Sequence, residues 1–475
     1  MGVTRFRTDP LDPSGQWPIL ESTYFAGFDG RVMATRVERD GSQIACIRPV
    51  SDSGKLKTVW PLSDGRSMTL TTCSLRERDE PYNLAVELAR GKIGELRNQA
   101  AQWAMGGMAI PAAARKAEAE AFKLFTQAAC SQASDSAGAA VIAQQAIDAA
   151  CRADDELLRA YTMQRLAGHQ RAGALPVVLG CGVASPPDAE GTQQFNNAFT
   201  AVEAAASWRT IEPTVGNYDW SAVDTVIQWA ASEGLMVRGG PLLDFREGAM
   251  PDWLTKWSED TPSLQSFLCD FVETAVARYR GSVKFWEVCV GACEGGAFRL
   301  DEEVRLGLTA RLIEAARRAD DDSHVAVRVS SPWGIYRRDG DHRLSPMQFV
   351  DALSRSNLGL GQINLELDLV ETVRDDATRS LSDVSRLIDT WSLHGLPLHV
   401  TIRAASGDQA GTSGETLLRW VNDYVPLLMA KPTVTGVFWS RFSDESGRPP
   451  TGLLDAQGQA KPTYDVFRRF RTAQL

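Results

Sequence analysis

The chain has 475 residues, of which 44% are hydrophobic and 23% charged, and its formal net charge is −10. A chain of this length exceeds one ordinary hydrophobic core, so we expect two or three domains. The acidic balance argues against non-specific binding to nucleic acid or to an anionic membrane surface.

The first residues, MGVTRFRTDPLDPSGQWP, contain no apolar segment typical of a signal peptide. No stretch approaches the roughly 18 uninterrupted apolar residues of a membrane span. Eight cysteines are scattered without CxxC pairs, which favours reduced, mostly buried thiols in a cytoplasmic protein over a metal or redox site. The histidines form no H-x-H or H-E-x-x-H motif, and no glycine loop precedes a helix, so we expect neither a metal nor a cofactor.

Residues 1–80 have the pattern of β structure. Apolar and polar residues alternate, and the pairs Asp29-Gly30 and Asp40-Gly41 stand at hairpin spacing. We expect a small antiparallel β domain here.

Residues 81–173 are expected to be helical. Apolar residues recur at three- and four-residue spacing, and Pro111 stands at a helix start. The segment is rich in alanine, which permits close helix packing. Two interpretations stay open: an intramolecular bundle that supports the rest of the chain, or an arm through which the protein forms a homo-oligomer.

Residues 174–475 alternate short β-branched runs with amphipathic helices, which is typical of a parallel sheet with crossover helices. Eight strand candidates occur: PVVLGCGVA, NNAFTAVEAA, LMVRGGPLLD, VKFWEVCVG, HVAVRVSSP, GQINLELDL, LPLHVTIRA and TVTGVFWSRF. Eight βα units in about 300 residues predict an α/β fold, a (β/α)8 TIM barrel, with functional residues at the carboxyl ends of the strands.

Framework motifs of this barrel resemble those of glycoside hydrolase family 10, the xylanase family. The residues that carry the resemblance through the second and third βα units are Phe195, Asn196, Thr200, Glu203, Trp208, Glu212, Pro213, Gly216, Tyr218 and Trp220. The segments MPDWL, RYRGSVKFWEV, GLPLHVT and GVFWSRF also resemble family motifs. The resemblance covers about residues 175–470 and does not extend to the N-terminal third.

The resemblance implies that both catalytic glutamates are absent. Gly291 holds the position of the family's general acid/base at the end of strand four, and Val290 that of a sugar-holding asparagine. Ile402 holds the position of the nucleophile at the end of strand seven. Retaining glycosidases need two carboxyl groups roughly 5 Å apart, so we expect no hydrolysis by this mechanism.

The sugar-holding residues are also depleted relative to the family. Both histidines and the tryptophan of one family motif are missing from the run Arg238 to Phe245, and Ser207 replaces a lysine. The glutamine and histidine of strand six correspond to Ile363 and Leu365. The resemblance retains only Glu203 and Trp439 from this set.

Other charged residues are candidates for a relocated site. Strand alternation places Glu287 on the same face as Cys289 and Gly291, where Glu287 is either a structural acid paired with an arginine or a relocated acid. Asn364, Glu366 and Asp368 share one face of strand six, which points either to the lumen or to the helix layer. Candidate ligand-binding residues at the barrel mouth are Glu203, Asp244, Glu366, Asp368, Arg403, Trp439 and Arg441. The arginines suit an anionic ligand or a salt-bridge network that closes the mouth.

Three functions therefore stay open. The first is a non-catalytic member of the family that binds an oligosaccharide or another small ligand, or has a scaffolding or regulatory role. The second is an active hydrolase with a relocated acidic site that acts on an intracellular glycan. The third is an assembly protein in which the helical segment forms the oligomer. The missing carboxylates favour the first, in which the chain is not an enzyme.

Overall fold

The computed structural model describes residues 1–8, 20–171, 177–368, 377–403, 414–445 and 450–473. These residues form two compact units. The N-terminal unit comprises Met1–Gly168, Gly334–Asp341 and Val370–Ser385, and the barrel unit comprises His169–Trp333, His342–Leu369 and Arg386–Leu475.

The N-terminal unit contains two small sheets. Its strands are β1 (Gly2–Arg7), β2 (Tyr24–Ala26), β3 (Val32–Met33), β4 (Arg36–Asp40), β5 (Gln43–Arg48), β6 (Lys55–Pro61), β7 (Ser67–Thr71) and β8 (Tyr82–Asn83). The pairs β1–β5, β4–β5, β2–β3, β2–β6 and β6–β7 are antiparallel, which confirms the predicted antiparallel β structure. Both Asp-Gly turns form, and Gly30 and Gly41 adopt φ of +81° and +56°, a region that favours glycine.

Three helices follow these strands: α1 (Leu84–Met105), α2 (Ala112–Ser131) and α3 (Ser136–Arg171). The Asn83 side chain caps α1 by accepting from the Val86 amide at 3.3 Å. The helices share one hydrophobic core with the sheets, and the Trp60 indole donates to Gln144 Oε1 at 2.8 Å. Many core residues of α3 are alanines, which let its backbone approach the neighbouring elements closely.

Two later segments of the chain complete the N-terminal unit. The Thr35 amide donates to the carbonyl of Arg338, in a short 3-10 helix, at 3.0 Å. Strand β16 (Ala377–Thr378) extends the second sheet by pairing with β7. Lys92 of α1 is buried and donates to Asp154 at 2.6 Å and to Ser382 at 3.2 Å. The N-terminal unit is therefore discontinuous in sequence.

The described residues of the barrel unit form eight parallel strands. They are β9 (Val178–Val183), β10 (Ala201–Ala204), β11 (Met236–Gly239), β13 (Phe285–Val290), β14 (His324–Val329), β15 (Leu360–Asp368), β17 (Leu398–Arg403) and β18 (Val434–Trp439), with the short β12 (Leu243–Asp244) added beside β13. Pairing of β11 with β13 closes the ring that runs β11-β10-β9-β18-β17-β15-β14-β13. Seven of the eight strand candidates contain one of these strands, and the eighth, GQINLELDL, contains all of β15 except Leu360, which confirms the predicted TIM barrel.

Helices alternate with the barrel strands. They are α4 (Ala189–Ala198), α5 (Trp208–Ile211), α6 (Ser221–Ser232), α7 (Thr261–Arg278), α8 (Glu302–Ala319), α9 (Pro346–Arg355), α10 (Leu381–Trp391), α11 (Gly414–Met429) and α12 (Pro462–Ala473). Among the described residues, no helix combines the length and the apolar character needed to cross a bilayer.

Candidate functional site

Arg238 lies at the centre of the barrel lumen. It projects from β11, is fully buried, and forms an ion pair with Glu203 of β10. Its Nη2 donates to Thr401 Oγ1 of β17 at 2.9 Å, and its Nη1 lies 3.5 Å from Glu287 Oε1 of β13. The guanidinium carbon is 3.4 Å from the ring centroid of Phe438. One arginine therefore connects side chains from four other strands, which is possible only inside a closed barrel.

Arg328 of β14 forms a second cationic centre. Its Nη2 lies 2.6 Å from Glu203 Oε2 and contacts Glu287, while its Nη1 is 3.5 Å from Glu366 Oε2 of β15. Burial opposes the charge of Arg328, but Glu203, Glu287 and Glu366 together raise its pKa. Burial also opposes the charge of Glu203, yet Arg328 and Arg238 hold the pKa of Glu203 below its usual value. Both members of the Glu203–Arg328 pair are therefore charged at neutral pH.

Glu287 lies entirely within this network. It is fully buried, pairs with both arginines, and accepts from the Asn364 amide of β15. Asn364 Nδ2 also donates to Thr401 Oγ1 at 3.1 Å. Glu287 therefore lies beside arginines of both neighbouring strands, the pairing on which the first of its two interpretations depends.

Nearer the carboxyl ends of the strands, Glu366 is the common partner of three arginines. Arg403 Nη1 lies 2.7 Å from Glu366 Oε1, and Arg246 Nη1 lies 3.7 Å from the same oxygen. Arg328 reaches the other oxygen. Arg246 also holds Asp244 with two guanidinium nitrogens, with Nε donating to Oδ1 at 2.8 Å. The face of β15 that carries Glu366 therefore points into the lumen.

The backbone at Gly291 leaves no space for a side chain. Gly291 follows β13 with φ of +73°, and a Cβ built on it would lie 2.8 Å from Arg246 Cγ and 3.3 Å from the Arg246 amide nitrogen. Since a Cβ carbon contacts other carbons at about 3.5–4.0 Å, a carboxylate side chain at this position requires Arg246 to move.

The loop after Gly291 is held by a buried arginine. Arg305 of α8 donates to the carbonyl oxygens of Ala292 at 2.8 Å, Cys293 at 3.1 Å and Leu300. The guanidinium can only donate hydrogen bonds, and its fork joins three carbonyls of the loop to one side chain. The loop therefore has a defined shape in which position 291 is closed.

Side chains along β13 do not alternate regularly between the lumen and the helix layer. The register between β13 and β14 shifts between Glu287 and Cys289, and the Cys289 thiol interacts with the Thr309 hydroxyl of α8. The expectation that Cys289 shares the lumen face with Glu287 was therefore wrong, because a β-bulge exchanges the two faces of a strand. Burial raises the pKa of the Cys289 thiol to about 12, so it is a neutral core residue.

Ile402 and Trp439 do not project into the lumen. Thr401 and Arg403 make the lumen contacts of β17, so alternation directs Ile402 to the opposite face. Trp439 is fully buried, its indole donates to the Thr451 carbonyl at 3.0 Å, and its ring packs 5.9 Å from that of Phe467 in α12. The structure therefore does not place Trp439 with the ligand-binding candidates at the barrel mouth, because it faces the helix layer.

The remaining candidates lie at strand ends. Arg441 follows β18 and is partly exposed. Asp368 is the last residue of β15, and burial raises its pKa to about 6. The charge of Arg403 lowers this pKa, and the charge of Glu366 raises it further. The structure thus brings Glu203, Asp244, Glu287, Glu366 and Arg403 into one network of ion pairs.

Four residues of the site were not among those that we expected there: Glu294, Arg238, Arg246 and Arg328. Glu294 lies in the loop after β13 and accepts from Ser330 Oγ at 2.9 Å, and burial raises its pKa. Glu294 stands three residues beyond the family's acid position, and this closeness in sequence could have marked it as a candidate. Arg238 and Arg328 are single charges inside apolar strand runs, a pattern that indicates a buried partner.

Within the described part of the chain, one cluster of potential metal ligands occurs. Asp320, Asp321 and Asp322 place carboxylate oxygens within 4.8 Å of one another. Arg280 pairs with Asp320 at 3.6 Å and with Asp321 at 3.2 Å, so an arginine already balances part of this charge.

Comparisons with known proteins concern the barrel. Residues 184–319 match the family described as Glycosyl hydrolase family 10. Endo-1,4-beta-xylanase B of Thermotoga neapolitana is 32% identical over 288 residues, which cover 56% of this chain and 79% of that protein. An endo-1,4-beta-xylanase of Agaricus bisporus is 26% identical over 191 residues, 38% of this chain, and the match spans only 56% of that relative's length. The crystal structure of native xylanase 10B from Thermotoga maritima superposes with a TM-score of 0.49 and 17% identity, covering 63% of this chain and 95% of that one.

Proposed function

This chain belongs to glycosyl hydrolase family 10, and we propose that its barrel binds a saccharide without cleaving it by the family's two-carboxylate mechanism. That mechanism needs one carboxyl group to protonate the leaving oxygen and a second, roughly 5 Å away, to attack the anomeric carbon. The family resemblance places glycine and isoleucine at these two positions.

One observation carries the proposal: the Arg246 side chain fills the space beside Gly291. Position 291 lacks a carboxylate, and it also lacks room for one while Arg246 keeps its place. A Cβ on Gly291 would lie 2.8 Å from Arg246 Cγ. Arg246 is itself held by Asp244 and by Glu366. A reversion at position 291 alone would therefore not restore the acid.

The acids that do line the lumen are poor substitutes. A general acid must hold a proton near the working pH, whereas Arg328 and Arg238 keep the pKa of Glu203 low. Glu287 is fully buried between the same two arginines. These contacts favour a structural role for both glutamates, as counter-charges of the two arginines.

A saccharide is the ligand class that the relatives suggest, because those two relatives are named endo-1,4-beta-xylanases. We propose a xylo-oligosaccharide or a related neutral glycan. We also propose a cytoplasmic location. All eight cysteines lie in described residues and none forms a disulfide, which suits a reducing compartment.

The direct test combines hydrolysis and binding on the full chain. Incubation with p-nitrophenyl β-xylobioside should release no nitrophenol above the buffer rate, with the Thermotoga neapolitana enzyme as the active control. Titration calorimetry with xylotetraose should show binding without turnover. A burst of nitrophenol stoichiometric with the protein would contradict the proposal, and so would a complete absence of binding.

A second candidate function is hydrolysis with relocated acids, as an enzyme acting on an intracellular glycan. The observation that favours it is the raised pKa of two rim carboxyls, with Asp368 at about 6 and Glu294 raised by burial. Glycan hydrolysis that follows a bell-shaped pH profile and disappears in Glu294→Gln would establish this function in place of the first.

A homo-oligomer formed through the helical segment is a third proposal. Of the twenty residues of α2, only Ala114, Ala121 and Ala128 are buried, and the Phe122 side chain is 45% exposed. Light scattering on the full chain tests it, with Phe122→Glu expected to dissociate the oligomer. A monomeric wild-type protein would exclude this role.

A further inference from the structure

Glu294 carries one carboxylate oxygen that has no hydrogen-bond donor in the described part of the chain. Its Oε1 accepts from Ser330 Oγ at 2.9 Å, whereas its Oε2 is buried and accepts no hydrogen bond from the described residues. The loop that carries Glu294 is held by Arg305, so the carboxyl group has a defined position. Buried polar atoms almost always find partners, and an exception calls for a functional explanation.

Asp368 shows the same feature at the end of β15, which β14 separates from β13 in the barrel. Its Oδ1 is buried and has no hydrogen-bond donor among the described residues. Glu366 is an electrostatic neighbour of both Asp368 and Glu294, so the two carboxyl groups flank one residue at the carboxyl end of the barrel. The charge of Arg403 stabilises the Asp368 carboxylate, and the charge of Arg246 stabilises the Glu294 carboxylate. Among the described contacts, neither arginine donates a hydrogen bond to the carboxylate that it stabilises.

The other acids of the lumen differ from this pair in having an arginine at ion-pair distance. Glu203, Asp244, Glu287 and Glu366 each form an ion pair with at least one arginine. A carboxylate engaged by an arginine has little capacity left for a ligand, whereas an oxygen without a donor can accept from an incoming hydroxyl group. Such charge-assisted hydrogen bonds are among the stronger ones in proteins.

We infer that Glu294 and Asp368 are the ligand-contacting acceptors of the barrel, each taking a hydrogen bond from a hydroxyl group of a neutral saccharide. This inference rests on the proposed saccharide-binding function and assigns that function to two residues. Position 294 lies in the loop that carries the acid/base position at residue 291, so the carboxylate of this loop acts here as an acceptor rather than as an acid.

The pH dependence of binding separates ligand contact from a structural role. Burial holds the pKa of Asp368 at about 6, so its acceptor form is lost as the pH falls through that value. The charged groups facing it are Glu366 on its own strand and Arg403 on β17. Glu294 faces its own backbone amide, the Ser330 hydroxyl, Glu366 and Arg246. Binding should therefore weaken on acidification.

The experiment is titration calorimetry of xylotetraose against the full chain at about pH 7.5 and about pH 5. Glu294→Gln and Asp368→Asn should each weaken binding about tenfold at the higher pH, since each loses a hydrogen bond to a charged group. Asp368→Asn should also reduce the loss of affinity on acidification. Glu303→Gln, whose wild-type side chain is 85% exposed, is the matched control and should bind like wild type. Melting temperatures of all variants verify that they fold.

Each result discriminates between the claims. Wild-type affinity and pH dependence in folded Glu294→Gln and Asp368→Asn would overturn the assignment and leave the proposed function intact. No binding of xylotetraose by wild type would overturn both. Hydrolysis of xylotetraose that Glu294→Gln abolishes would replace the acceptor role with that of a relocated acid.

Discussion

The Arg246 side chain occupies the space that a side chain on residue 291 would enter. A Cβ on Gly291 would lie 2.8 Å from Arg246 Cγ, and the backbone there has φ of +73°. Two independent features thus disfavour a carboxylate at the family's acid position, one of backbone conformation and one of packing.

The first prediction separates these two features. Gly291→Ala should lower the free energy of unfolding by about 1–2 kcal/mol for the left-handed backbone and by a further 1–3 kcal/mol, roughly, for overpacking against Arg246. Gly281→Ala is the control, because Gly281 has φ of +82° and nothing within 4 Å of the added carbon. Urea denaturation measures both. Equal losses in the two variants would refute the packing component, and adding Arg246→Ala should bring Gly291→Ala closer to the control.

The second prediction concerns Arg328 as the shared counter-charge of the lumen. Arg328→Met should destabilise the protein by about 3–5 kcal/mol, because it removes the cation that Glu203, Glu287 and Glu366 share and leaves their buried negative charge only partly balanced. Arg318→Met is the control: its wild-type side chain is 62% exposed and pairs with Glu273, so its loss should cost less than about 1 kcal/mol. Denaturant midpoints of the two variants give the comparison. A loss for Arg328→Met no larger than for Arg318→Met would show that the network contributes little.

The third prediction is a pH effect of Asp368 on stability. Burial raises its pKa to about 6, above the unfolded value of about 3.9. The Asp368 carboxyl therefore holds its proton more tightly in the folded state than in the unfolded state. Its contribution to the free energy of unfolding is fully present below about pH 4 and is lost as the pH rises through 6. The loss is of the order of 2 kcal/mol.

Asp368→Asn should remove this loss, so that the stability difference between variant and wild type grows in favour of the variant from about pH 4 to about pH 7. Asp321→Asn, an exposed carboxylate in wild type, should leave the wild-type pH profile unchanged. Urea denaturation across the pH range is the measurement. A constant difference between wild type and Asp368→Asn would show that the carboxyl titrates normally.

The fourth prediction concerns the Arg305 clamp. Arg305→Lys retains the charge but cannot reach the carbonyls of Ala292, Cys293 and Leu300 together, since an ammonium lacks the planar fork of guanidinium. Amide hydrogen exchange in residues 292–300 should accelerate by at least about tenfold. Arg311→Lys, on the same helix with a side chain 58% exposed, is the control. Unchanged exchange in this loop would mean that other contacts hold it.

Much of the fold could be predicted from local pattern. Each of the eight strand candidates matches a barrel strand to within a few residues, because β-branched runs between amphipathic helices have few other stable arrangements. Both Asp-Gly turns form for a similarly local reason, since glycine tolerates φ above zero. The pairing of segments 334–341 and 370–385 with the N-terminal unit had no local signal, because it depends on contacts between residues far apart in sequence.

By itself, the sequence determined that this is a family 10 barrel with no carboxylate at residues 291 and 402, since residue identity and strand periodicity are local properties. Only the tertiary structure decided which side chains meet inside it. One bulge turned Cys289 to the helix layer, and ion pairs joined Glu203 to Arg238, 35 positions away, and to Arg328, 125 positions away. The physical reason is that a buried charge is stable only beside its partner, and ring closure brings those partners from different strands together.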